Sequence, residues 1–285
     1  MRAPILSLLL LGLTLAPGTL AAPHAAAAAQ PELSVATLLL PTWQGAEAER
    51  RRTQLMAVLD DLKPQVVSLQ QVQQKGRDNP ACWLAQRLRY SCDFITADPP
   101  SQPLRLGSAL LSRLPVNEDG ITLLHPVGRY SAAGMLRVPL GAGQVNIYTA
   151  RLRPDPDTPQ ARRHRANDLM RWIAATADGH PSVIAGDFGA TAEELVRELP
   201  GYQPARRNPS EKMPRMPSPS TPQAVGGHGL DLLFPVKSFS GVRQQVVQLP
   251  ADGDLPAVRL GMMATLRLQD PAPLATDPAE PDPAP

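Results

Sequence analysis

Aromatic residues make up only 4% of this 285-residue chain. Surfaces that stack successive bases need many such rings, so composition lends a nucleic-acid-binding role no support. Cysteine is also scarce, with Cys82 and Cys92 the whole complement. Their ten-residue separation is unlike the two-residue spacing of redox motifs. Neither lies near the N-terminus, where lipid attachment would need one. Long apolar runs are nearly absent. The one present, Ile5 to Leu15, is too short to span a bilayer as a helix, and no later run is long enough. No internal repeat is visible, and the net charge of +2 is spread along the chain.

That apolar run has informative neighbours. Arg2 precedes it, Pro17 and Gly18 break it, and small residues follow at Ala21 and Ala22. This order of charge, apolar stretch and small residues is the pattern of a secretory signal peptide, in preference to a membrane anchor. The sequence therefore predicts export to a periplasm or the medium, with residues 1–22 removed and no transmembrane anchor in the mature chain. In an oxidising compartment Cys82 and Cys92 are expected to pair, closing a short loop worth roughly 3 kcal/mol. Two free buried thiols are the alternative. Residues 205–224 hold Pro209, Pro214, Pro217, Pro219 and Pro222 among basic residues and read as a long surface loop. Residues 270–285 are rich in Pro, Ala and acids, lack any basic residue, and read as a disordered tail.

Between leader and tail, strand-like and helix-like stretches alternate. Leu55, Val58, Leu59 and Leu62 predict a helix over 47–62, stopped by Lys63-Pro64. Ala166, Leu169, Met170 and Ile173 predict another over 159–176, and Thr191 with Glu194 is a capping-box start. Apolar runs at 33–40, 66–69, 107–112, 135–140, 144–150, 182–185, 230–234, 242–248 and 257–266 predict strands. Gly141-Ala142-Gly143 is a hairpin signal. The order implies one domain of two packed sheets with helices outside.

Four strings carry the chemistry: Val35-Ala36-Thr37-Leu38-Leu39, Val66-Val67-Ser68-Leu69-Gln70-Gln71-Val72, Val183-Ile184-Ala185-Gly186-Asp187-Phe188-Gly189, and Gly253-Asp254-Leu255-Pro256. Thr149-Ala150-Arg151-Leu152 and Leu230-Asp231-Leu232 support them. In this order and spacing the chain resembles the endonuclease/exonuclease/phosphatase superfamily, which includes deoxyribonucleases, sphingomyelinases and inositol-polyphosphate phosphatases. The resemblance implies an α/β fold, a four-layer α/β/β/α sandwich of two packed mixed sheets over residues 31–269. It also implies in-line hydrolysis of phosphate esters, assisted by magnesium or another divalent cation on oxygen ligands. Histidines would bind the phosphate or move protons.

Carried over residue by residue, the resemblance divides. Asp187, Asp231 and Asp254 stand where the family has its aspartates. Leu39 stands for an asparagine, Gln71 for the metal-binding glutamate, Arg151 for the first histidine, Gly189 for a second asparagine and Leu255 for the closing histidine. Gln71 keeps an oxygen but loses the charge that offsets metal dehydration. Arg151 and Leu255 remove both imidazoles, and neither shuttles a proton near neutral pH. Losing these groups together is expected to abolish ordinary activity. Gln71 and Asp254 remain as metal-facing candidates, and no cofactor is expected unless the protein is an active hydrolase.

Each aspartate alone also fits a plain reading, as a turn or strand-edge residue. Gathered together, they need neutralising. Arg151 is expected either to occupy the space of the lost metal and pair with one or more of them, or to point outward. His228 is the candidate replacement imidazole. The clusters Arg50-Arg51-Arg52 and Arg162-Arg163-His164-Arg165 read as solvated helix faces, and the Arg206-Arg207 to Arg215 loop as a contact for an anionic ligand. The expected function is that of an exported, catalytically impaired pseudoenzyme, binding an anionic ligand or a protein partner. The alternative is a divergent metal-dependent phosphodiesterase or phosphatase.

Overall fold

The computed structural model describes residues 30–205 and 229–269. The leader, His228, the arginine-bearing loop and the acidic tail lie outside the described residues.

The elements follow the apolar periodicity. In chain order they are β1 (Glu32–Leu39), α1 (Gly45–Leu62), β2 (Val66–Lys75), α2 (Pro80–Leu88), β3 (Ser91–Thr96), β4 (Leu104–Ser112), β5 (Glu118–Leu123), β6 (Ala132–Leu140), β7 (Gly143–Arg151) and α3 (Pro159–Thr176). Then come β8 (Ser182–Asp187), α4 (Ala192–Glu198), β9 (Tyr202–Pro204), β10 (Leu230–Pro235), β11 (Phe239–Leu249) and β12 (Val258–Leu268). The starts of α2, α3 and α4 are capped by side chains, and that of α1 is not. Asn79 accepts from the Ala81 and Cys82 N–H groups, and Thr191 with Glu194 forms the full capping box. The β6–β7 hairpin turns at Gly141, where φ is +60°.

The strands make two six-stranded sheets, ordered β11-β12-β1-β2-β4-β3 and β5-β6-β7-β8-β10-β9. Each has one parallel pair, β1/β2 and β7/β8, flanked by antiparallel neighbours. Alternation sorts the side chains. Val35, Val66, Leu110, Ile147, Val183 and Leu232 fill the space between the sheets. Leu38, Leu69 and Leu111 face Leu55 and Leu59 of α1 and Leu84 of α2 on one outer side. Tyr148 and Ile184 face Ala166, Leu169 and Ile173 of α3 and Leu195 of α4 on the other. The architecture is a four-layer α/β/β/α sandwich. Cys82 of α2 and Cys92 of β3 form a disulfide. No helix among the described residues is long and apolar enough to cross a membrane.

Some local expectations need correction. Ala205, placed in the surface loop by sequence, is buried, and its N–H donates to the Leu232 carbonyl at 2.7 Å. The short strand β9 just before it went unread. Arg51 and Arg165 are not solvated helix residues; both are about 1% exposed. Arg51 donates to Glu47, Gln54 and the Pro256 carbonyl, and Arg165 to the carbonyls of Arg151, Arg153 and Pro126. Burial is tolerated because each guanidinium finds acceptors from distant segments.

Candidate functional site

Strand β2 of one sheet and β7 of the other approach each other at Ser68, Gln70 and Thr149. A buried polar network joins them: Ser68 and Thr149 hydroxyls lie 2.7 Å apart, and the Gln70 amide donates to both at 2.9 Å. The next residue on β2, Gln71, sits at a break in the β2–β4 ladder with φ of +60°. That irregularity sends consecutive glutamines to different places, Gln70 into the core and Gln71 to the wall of an open cleft. The cleft has a volume of about 370 Å³ and is lined also by Arg129, Tyr130, Arg151, Arg153 and Asp157.

Asp187, at the end of β8, is buried at this end of the sheet. Arg151 Nε lies 3.6 Å from one of its carboxylate oxygens and Arg153 Nη1 3.9 Å from the other. Both distances suit charge pairing and fall short of hydrogen bonds. Burial pushes the Asp187 carboxyl above its ordinary pKa, while Arg151 and Arg153 pull it down and Asp157 pushes it up; the net direction is upward. The Arg151 guanidinium also stacks on Tyr130, 4.8 Å from the ring centroid. Arg165 fixes this arrangement from α3 by bonding the carbonyls of Arg151 and Arg153 at 3.1 and 3.2 Å. Burial lowers its own pKa to about 10, so it stays charged at neutral pH.

Two glycines shape the surroundings of the carboxylate. A Cβ at Gly229 would collide with Asp187 Oδ1. A Cβ at Gly189 would overlap Cγ and Cδ of Arg153. The absence of a side chain at 189 is therefore what lets the Arg153 stem cross to Asp187.

Asp231 on β10 is fully buried, in register with Gly186 beside Asp187, and accepts the Leu232 N–H at 2.8 Å. The plain strand-edge reading of it, as a surface carboxylate, does not hold. Asp254 is not gathered with these two. It occupies a tight turn between Asp252 and Leu255, is 77% exposed on its side chain, and pairs with Arg50 at 3.0 Å. The buried member of that turn is Leu255. Leu39, at the end of β1, is buried as an ordinary core residue. Sequence reasoning missed Arg129, Tyr130, Arg153 and Arg165. Only Arg153 left a trace, as a second arginine two positions beyond Arg151.

The donor set does not fit the divalent cation that the resemblance implies. A hard cation needs several oxygen ligands with net negative charge. Here Asp187 is flanked by two guanidinium groups, Gln71 offers a neutral amide, and Leu39 offers nothing. Among the described residues no three His, Cys, Asp or Glu side chains converge. The cleft presents Arg129, Arg151 and Arg153 beside an aromatic ring, with two aspartates, Asp155 and Asp157, the latter accepting from Arg153 Nε at 3.3 Å.

A family model described as the Endonuclease/Exonuclease/phosphatase family matches residues 44–254. No curated protein matches the chain. Among solved structures, TDP2 from C. elegans aligns with a TM-score of 0.59 and 16% identity, over 83% of this chain and 75% of that one. An endonuclease/exonuclease/phosphatase from Beutenbergia cavernae aligns at 0.57 and 18%, over 84% and 72%. The human Nocturnin catalytic domain aligns at 0.57 and 15%, over 84% and 94%. At such identities the structural likeness speaks for the fold alone.

Proposed function

This chain belongs to the endonuclease/exonuclease/phosphatase family, and on that premise we propose that it is an exported pseudoenzyme of the fold, a binding or accessory protein for an anionic ligand. One observation carries the reading. Asp187, the buried carboxylate that stands at one of the family's aspartate positions by resemblance, lies within charge-pairing distance of Arg151 and Arg153, and Arg153 also donates to Asp157 at 3.3 Å. A divalent cation entering there meets two guanidinium groups already set against Asp187 and Asp157, and one neutral amide. An anion meets the same charges with favourable sign, and Arg129 adds a third cation that makes no ion pair among the described residues. Export is supported by the leader-like residues 1–22 and by the disulfide. The competing reading, a divergent hydrolase, draws on the burial of Asp187 and Asp231 on adjacent strands.

The two separate in one set of measurements on protein lacking residues 1–22. It is incubated with magnesium, manganese or calcium and a generic phosphodiester, nucleic acid or sphingomyelin. The expected results are no turnover, a melting temperature independent of the metal, and stabilisation by inorganic phosphate that Arg129→Ala weakens. Turnover that Asp187→Ala abolishes overturns the proposal.

A further inference from the structure

A second cavity, about 200 Å³, opens on the outer side of the first sheet, between α1, α2 and the ends of β1 and β2. It is independent of the arginine cleft and unexplained by it. Trp43, Leu55, Trp83 and Leu104 line it, together with Arg52 and Lys75. Two of the chain's three tryptophans thus face one groove. Both are only half-buried, and Leu104 is 42% exposed. Cations gather on the indole of Trp83: the Arg87 guanidinium carbon lies 4.4 Å and that of Arg52 5.7 Å from its centroid. Asp78 is the one acid among the lining residues.

Paired indoles with basic neighbours select a particular chemistry. Proline rings in an extended left-handed helix pack on indole faces at small entropic cost, because the helix is already formed. Carboxylates between the prolines would meet Arg52, Lys75 and Arg87. The chain carries such a segment itself. Residues 270–285 contain Pro271, Pro273, Pro278, Pro281, Pro283 and Pro285, alternating with Asp277, Glu280 and Asp282, and no base. We propose that this segment seats in the Trp43–Trp83 groove of its own chain, with Glu280 to Pro285 across the tryptophans.

Its reach is sufficient. The Leu268 N–H donates to the Pro31 carbonyl at 2.9 Å, so the segment departs beside the start of β1. The groove begins past the other end of β1, at Leu40, about 30 Å away at the rise of a strand. Residues 270–285 in the extended helix span about 50 Å. The first two thirds cover the distance, and the last third lies in the groove.

The test uses the chain with and without residues 270–285 and a synthetic peptide of that sequence, followed by calorimetry and tryptophan fluorescence. The truncated protein is expected to bind the peptide. The full chain is expected to bind it about tenfold more weakly or worse, because the tethered copy competes at an effective concentration near millimolar. Trp83→Ala removes binding. Because that change touches α2 packing, the surface double variant Arg52→Glu, Lys75→Glu is measured beside it. It should weaken binding and abolish its salt dependence while circular dichroism stays native. The proposal fails if the truncated chain does not bind, if both chains bind equally, or if the charge reversal has no effect. Self-association of the truncated chain that the charge reversal abolishes would assign the groove to a second copy instead, and would equally overturn it.

Discussion

Asp187 sits in opposing fields, and their balance can be measured one residue at a time. Burial outweighs Arg151 and Arg153, so the folded protein keeps this proton to higher pH than the unfolded chain. The sign follows: its contribution to stability falls as pH rises from the ordinary value of 3.8 through the folded value. Arg151→Ala takes away the larger compensating charge. The variant should lose about 2 kcal/mol at pH 8, where Arg153 alone is left to offset the buried carboxylate, and progressively less as falling pH protonates it. Adding Asp187→Asn should recover most of the loss at pH 8, as read by urea denaturation in a double-mutant cycle. A loss that does not change with pH would mean that Arg151 contributes only its packing on Tyr130. Gly189→Asn tests the other cation. Asparagine tolerates the φ of +60° there, but its Cβ would displace the stem of Arg153. The expected cost is about 1 kcal/mol, with the Asp187 titration followed by NMR moving further up.

Among elements, the edge strand β3 draws covalent support from outside its sheet. It is the edge of its sheet, pairs only with β4, and is tied to α2 by the Cys82–Cys92 disulfide. Replacing both cysteines by serine should cost roughly 3 kcal/mol, with hydrogen exchange rising first at β3 amides. The same strand carries Asp93, whose carboxyl is pushed up to about 6 by burial and by Asp119 of the edge strand β5. Here too the folded state holds the proton longer, so stability declines between pH 4 and about 6. Asp93→Asn should flatten that decline and add about 1 kcal/mol at pH 7, visible in melts across the range. Elements with strong periodicity were legible in advance: α1 from Leu55 and Leu59, α3 from Ala166 and Leu169, the β6–β7 hairpin from its glycines. The strand β9 was not, since a three-residue element ending in Pro204 has no period to read. The burial of Arg51 and Arg165 was also hidden. Their acceptors are carbonyls of Pro256, Pro126, Arg151 and Arg153, which only the tertiary fold brings close.

At the scale of the whole molecule, the two sheets and their family order were readable from strings of residues, whereas the content of the cleft was not. Identity at Asp254 suggested a site residue, yet a tight turn points it to Arg50 and buries Leu255 instead. Arg153 and Gly189 mean little separately and become intelligible only because one passes over the other. The groups of the cleft are therefore coupled, and a single substitution should not convert it to a cation site. Gln71→Glu puts a carboxylate where the resemblance has a metal-binding glutamate, but it faces Arg151 in the same cleft and is expected to pair with that arginine in place of a metal. Its melting temperature should be indifferent to magnesium or manganese. Combining Gln71→Glu with Arg151→His and Gly189→Asn removes one cation, displaces the other and supplies an imidazole and an amide. That triple variant should melt about 3 °C higher once manganese is present at tenfold its dissociation constant. Differential scanning calorimetry with and without manganese checks both proteins. If Gln71→Glu alone shows the metal-dependent rise, the arginines are not what keeps a cation out, and the proposed pseudoenzyme reading loses its support.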